Sequence, residues 1–300
     1  VISALYSQFP GVEVHESGDY TRAVHFDPKA SDNVKIWAAE FALTKPDPYP
    51  IKTYVDYGLD RDPKEEFKVD PFLPMLEFFG SVGPNQQIWL QILIRAHKKE
   101  QAKPGHWFKK TDAWKDEAQK LINEIMIRDA KTKGIPEKNK KKSDDKFPDI
   151  PRLSKGEQDI VEALERSVTK LAFDVGVRAL YIAKPESFNR PFAIGGIIGN
   201  MKHYNTEHLN GIKPDGDIWH SRLSDPWHDY KDHRRNLFSA EALAMYKRRS
   251  FFYAPYDGKP MVLNTEELST IYHFPGSVAA TPTLERLPSK KAEAPFNLPI

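Results

Sequence analysis

The sequence predicts an α+β fold. Two observations carry that reading. Long apolar segments at 34–43, 86–96 and 171–183 have strand character. Other segments repeat apolar residues at helical spacing. A helix leads into a long apolar strand at 72–96 and again at 155–183, and both strands hold an Arg-Ala pair, Arg95-Ala96 and Arg178-Ala179. This echo predicts two sheet-containing halves, with a tandem of related ferredoxin-like units as one arrangement. No repeat of fixed period accompanies it. The boundaries that follow are a first α+β unit at 1–110 and an amphipathic helix with a charged linker at 111–152. A second α+β unit at 153–274 and a proline-rich linker at 275–300 complete the chain.

Each element has its own local reason. Residues 2–9 read as a helix tail that runs into Pro10-Gly11. Residues 34–43 read as a strand, and a proline-rich turn follows at 45–50. Residues 51–57 also read as a strand, since Ile51, Thr53 and Val55 alternate with Lys52, Tyr54 and Asp56. Residues 72–82 read as a short helix whose first turn accommodates Pro71 and Pro74. Segment 86–96, QQIWLQILIRA, is apolar on both parities and predicts a central strand. Residues 111–131 carry Trp114, Ala118, Leu121 and Ile125 on one helical stripe. Ser154 and Glu157 form a capping-box signature ahead of a helix with Ile160, Val161, Leu164 and Val168 on one face. Residues 192–204 read as a helix that opens at Asn189 or Arg190. Gly195, Gly196 and Gly199 weaken it, and close packing on the sheet would compensate. Residues 209–235 read as a long irregular excursion. A helix at 239–249 has Ser239 as its cap and Lys247, Arg248 and Arg249 at its negative end. Residues 261–263 form a short strand, and Asn264 caps a last helix at 266–273, stopped by Pro275-Gly276.

Composition excludes several classes. The 300 residues contain no cysteine, so disulfides, thiolate metal sites and cysteine nucleophiles are excluded. The net charge of +2 argues against a surface coated for nucleic acid. No apolar run approaches the 18 or so residues of a membrane span, and the first 20 carry no signal-peptide pattern. The chain begins at Val1 rather than Met, which predicts a piece of a longer protein. The segment Gly195-Gly-Ile-Ile-Gly199 lacks the Gly-Lys-Ser/Thr ending of a phosphate loop, and there is no Gly-x-Ser-x-Gly elbow.

Three clusters invite chemistry. Imidazoles and carboxylates crowd 203–233, with His203, His208, His220, His228, Asp232 and His233 as metal-ligand candidates. The residue types suit zinc or manganese in a hydrolase or nuclease, but their spacing matches no complete ligand set. A polar loop is the simpler reading, and no metal, cofactor or catalytic residue is assigned. The lysine-rich segment 131–146, with Lys140, Lys141 and Lys142, reads as a solvated insertion, with phosphate contact as its functional alternative. Arg234, Arg235, Lys247, Arg248 and Arg249 lie near Phe251-Phe252-Tyr253, a mixture that binds single-stranded nucleic acid. A helix end with cations matched to its dipole explains most of the same residues.

The most specific signal is Met261-Val-Leu-Asn-Thr-Glu-Glu-Leu-Ser-Thr-Ile-Tyr-His-Phe-Pro-Gly276, followed by Thr281-Pro282 and the prolines of 288–299. It resembles the segment before the motor domain in bacterial type IV secretion and conjugation ATPases of the FtsK/HerA-like class. Tyr6-Ser-Gln-Phe-Pro10, Tyr49-Pro-Ile-Lys52, Asp70-Pro71, Gln87–Ile94, 173–181 and 205–210 extend the likeness. The resemblance implies a non-catalytic, membrane-proximal accessory domain on the cytoplasmic side, working in assembly or docking. It implies a motor domain beyond Ile300 that would use ATP and magnesium. Its implied partners are that motor, other subunits in a homo-oligomer and secretion-channel components, with DNA as a candidate cargo.

Overall fold

The structure is a computed structural model and describes residues 2–8, 14, 17–29, 34–59, 70–98, 101–102, 110–132, 153–223, 227 and 229–274. The charged insertion around Lys140, Lys141 and Lys142, the candidate ligand His228 and the proline-rich segment 275–300 lie outside them. The elements in chain order are α1 (Ile2–Gln8), β1 (Lys35–Leu43), α2 (Leu73–Gly80), β2 (Gln86–Ala96), β3 (Gln101–Ala102), β4 (Lys110–Thr111), α3 (Ala113–Thr132) and α4 (Lys155–Val168). Then follow β5 (Ala172–Ala183), α5 (Arg190–Lys202), β6 (Ile212–Pro214), α6 (His233–Arg248), β7 (Phe252–Tyr253), β8 (Tyr256–Asp257), β9 (Met261–Asn264) and α7 (Thr265–Ile271). The class is α+β, with antiparallel sheets throughout.

β5 organises the molecule. Residues 174–183 of this strand are all buried. β2 pairs with it along eleven positions, from Gln86 opposite Ala183 to Ala96 opposite Phe173. On its other side β1 pairs with 177–183 and β9 with 172–175, so these two lie end to end. β6 adds outside β1. The long strands of the ranges 1–110 and 153–274 therefore meet in one five-stranded sheet, apart from the two small pairs β3–β4 and β7–β8. The repeated Arg-Ala pairs sit on adjacent strands of that sheet, in β2 and β5. β2 is also an edge strand, not a central one. It is apolar on both parities because both faces of the sheet are covered, a burial that does not need two neighbouring strands.

One face buries Trp37, Ala39, Phe41, Val175, Val177, Ala179 and Tyr181 against α2, α5 and α7, through Met75, Ala193, Ile197, Met201 and Ile271. The other buries Ile36, Ala38, Trp89, Leu180 and Ile182 against α6, through Ala242, Leu243, Met245 and Tyr246. The result is three layers, helix–sheet–helix. α3 and α4 make a satellite pair through Ile122, Ile125, Val161 and Leu164. The capping box before α4 forms as expected: Glu157 N–H donates to Ser154 Oγ and Ser154 N–H to Glu157 Oε2.

Three local expectations change. Residues 51–57 turn instead of extending, because their donors are met by side chains and not by a strand. Ile51 N–H donates to Glu267 Oε1, Thr53 N–H to Asp56 Oδ2 and Tyr54 N–H to Thr270 Oγ1. Ser239 is not a cap: α6 starts at His233, where Asp229 accepts the amides of Arg234 and Arg235, and Ser239 lies buried inside the helix. Gly196 does allow close packing, but against α2 and not the sheet, since a Cβ there would stand 1.9 Å from the Phe78 ring.

Candidate functional site

Among the described residues no group of three or more His, Cys, Asp or Glu side chains could hold a metal ion. His203 is exposed at the end of α5, stacked on Tyr57 at 5.4 Å. His208 and His233 are exposed, while His220 is buried. Asp232 takes a left-handed backbone, φ 58°, and its carboxylate accepts from Arg235 Nη1 at 2.5 Å.

His220 stands beside Ser239 with the look of a nucleophile and its base. The hydrogen bonds run the other way. His220 Nδ1 accepts from the Ala38 amide at 3.2 Å, so the neutral ring carries its proton on Nε2 and donates to Ser239 Oγ at 3.2 Å. Ser239 Oγ in turn donates to the Ile36 carbonyl at 3.0 Å. Burial, then the Arg190 charge, pushes His220 down to about 4, far below the range of an effective base at neutral pH. The pair fastens α6 to β1.

The basic candidates are also dispersed. Arg234, Arg248 and Arg249 are exposed at opposite ends of α6. The Lys247 ammonium donates to the Val24 carbonyl and tethers the 20–26 segment. Lys247 also borders a hollow of about 500 Å³ beside Val34 and Leu243, and Arg235 lines a cleft of about 280 Å³ at the start of β1. Lys35, Trp37, Phe188, Arg190, His220 and Asp232 also form its wall.

Sequence reasoning missed two buried ion clusters, since strand pairing creates both. Arg178 and Glu40 face each other across β5 and β1 with 3.2 Å between Nη2 and Oε1. Trp219, Phe251 and Tyr256 surround the guanidinium at 5.2–5.7 Å. Ser250 accepts from Arg178 Nη2, and Tyr256 donates to Glu40. Burial pushes Glu40 up to about 7 against the pull of Arg178. Asp174 is the second centre: Arg95 Nε and Nη2 donate to its Oδ2, and His97 Nδ1 lies 2.6 Å from its Oδ1. That cluster clamps β2 to β5.

A groove of about 750 Å³ runs along β2. Phe72, Phe79, Leu268 and Tyr272 border it from one face of the sheet, and Tyr20 and Tyr246 from the other. Ile88, Leu90, Ile92 and Ile94 of the strand itself form its floor. Tyr20, Ile94 and Tyr272 are each more than half exposed. Tyr246 Oη donates to the Leu90 carbonyl at 3.4 Å, so that carbonyl faces away from β5. Periodicity alone did not mark this edge, because an edge strand covered on both faces reads like a central one.

Compared with known protein families, curated proteins and solved structures, the chain matches none. Among the described residues no helix is long and apolar enough to cross a membrane.

Proposed function

We propose that this chain is a non-catalytic assembly module of a type IV secretion or conjugation ATPase, and that it pairs with a second copy of itself through β2. The motor, with its ATP and magnesium, belongs to sequence beyond Ile300, and the module works at the cytoplasmic face of the membrane. The edge of β2, unpaired among the described residues and lying in an apolar groove, is the observation that carries the reading.

Self-pairing is supported by the strand's own symmetry. In an antiparallel two-fold about Gln91, Ile88 meets Ile94 of the copy, Trp89 meets Leu93 and Leu90 meets Ile92. Arg95 meets Gln87, so no like charges stand opposite. Leu90 faces outward, so it would exchange backbone bonds with Ile92 of the copy. The usual guards of a free edge, proline and lysine, are missing from all eleven residues of β2. Isologous pairing of this kind closes a dimer.

The test is mass in solution at about 100 μM, where even a micromolar dimer is populated. A dimer is expected, and Ile94→Lys is expected to give a folded monomer, since Ile94 is 57% exposed and its replacement disturbs little packing. A monomeric wild type overturns the self-pairing. The reading frame is expected to carry Gly-x-x-x-x-Gly-Lys-Ser/Thr beyond Ile300, and its absence overturns the ATPase assignment.

A further inference from the structure

The cleft at the start of β1 is built unlike the rest of the surface. It lies at one end of the sheet, where the first turns of α5 and α6 approach from opposite faces. Three cations line it, Lys35, Arg190 and Arg235, against one carboxylate, Asp232. Asp232 is engaged by Arg235 Nη1, which leaves the remaining donors of that guanidinium for other partners. The Nε atoms of both Arg190 and Arg235 are buried without a hydrogen-bond partner. A buried donor left unmade is costly, and two charged ones in a single cleft need an acceptor.

We propose that this cleft is an anion site that takes one phosphate group between the Arg190 and Arg235 guanidinia. Arginine forks match the oxygens of phosphate, and an anion here would accept from the guanidinium donors that line the cleft. It would also offset the mutual repulsion of two like charges. That repulsion is already felt in the fold: burial, then the Arg235 charge, holds Arg190 below its usual range. The amides at the helix ends are not needed for this. Asn189 caps α5, and Asp229 takes the first amides of α6. The volume of about 280 Å³ suits one phosphate with a small substituent and excludes a nucleoside triphosphate. Trp37 and Phe188 supply an apolar wall for that substituent. A bound phosphate would tie α5 to α6 across the end of the sheet.

The experiment is calorimetric titration of the whole chain with sodium phosphate at constant ionic strength, repeated with adenosine monophosphate. Saturable binding with a Kd below about 10 mM is expected. Arg190→Gln and Arg235→Gln are each expected to weaken it at least about tenfold. Lys202→Gln, at the far end of α5, is expected to leave it unchanged. Phosphate is also expected to raise the thermal midpoint of the wild type. Tighter binding of the monophosphate would identify an esterified ligand, and weaker binding free phosphate; both support the site. The absence of saturable binding by the wild type overturns the proposal without recourse to any variant. Equal binding by folded Arg190→Gln and Arg235→Gln chains overturns it as well.

Discussion

Asn210 is fully buried, and its amide is surrounded by backbone. Its Oδ1 accepts from the amides of Thr44, Lys45 and Gly211, and its Nδ2 donates to the carbonyls of Lys45, Pro46 and Tyr49. One side chain therefore replaces a missing strand partner for the proline-rich turn. Asn210→Ala leaves several of these groups buried and unpaired. A loss of about 3 kcal/mol or more in denaturant unfolding is expected, since each orphaned group costs roughly 1–3 kcal/mol. Glu40 gives a pH signature. Its carboxyl is raised from 4.5 to about 7 by burial. A raised folded pKa makes its stabilising contribution complete below about pH 4.5 and lost as pH rises through about 7. The stability difference between wild type and Glu40→Gln is expected to change across that window and to be flat above it. Neither residue was marked by its sequence neighbours. Asn210 looks like any polar loop residue, and Glu40 like a charge in a strand, until residues more than 100 positions away close around them.

Elements were legible where their signals are local. The Ser154 and Asn264 caps, the α3 stripe and the prolines at α2 all act within four residues, and each element formed near its expected limits. α7 shows where local reading ends. Glu267 accepts the Asn264 amide as a capping box requires, and the same carboxylate also accepts the Ile51 amide. Glu266 accepts from Thr53 Oγ1 and forms ion pairs with Arg166 and Lys170. Those distant bonds are why 51–57 abandons its strand alternation. In α5 the three glycines divide by environment. Gly195 meets nothing within 4 Å of a built Cβ, whereas Gly196 meets Phe78. Gly195→Ala is expected to stabilise the chain by up to about 1 kcal/mol through helix propensity. Gly196→Ala is expected to destabilise it by about 1–3 kcal/mol through overpacking at the α2–α5 contact. Thermal unfolding of the two variants side by side checks the opposite signs.

At the scale of the molecule, one sheet covered on both faces leaves β2, among the described residues, without a neighbour along its outer edge. If two copies pair there, folding is coupled to association. The thermal midpoint of the wild type is then expected to rise with protein concentration, and that of Ile94→Lys to stay constant. A concentration-independent wild type contradicts the dimer. The sequence by itself determined the α+β class, the principal strands and helices, and the exclusion of thiol chemistry. These rest on periodicity, caps and composition, which are properties of neighbouring residues. Only the tertiary structure decided that both halves share one sheet and that β2 is its edge. It also kept the described histidines of 203–233 from gathering around a common metal site and set Arg190 beside Arg235 in a cleft with Lys35. The reason is physical: strand order, burial of charge and the shape of a cleft depend on contacts between residues far apart in the chain, and no local spacing encodes them.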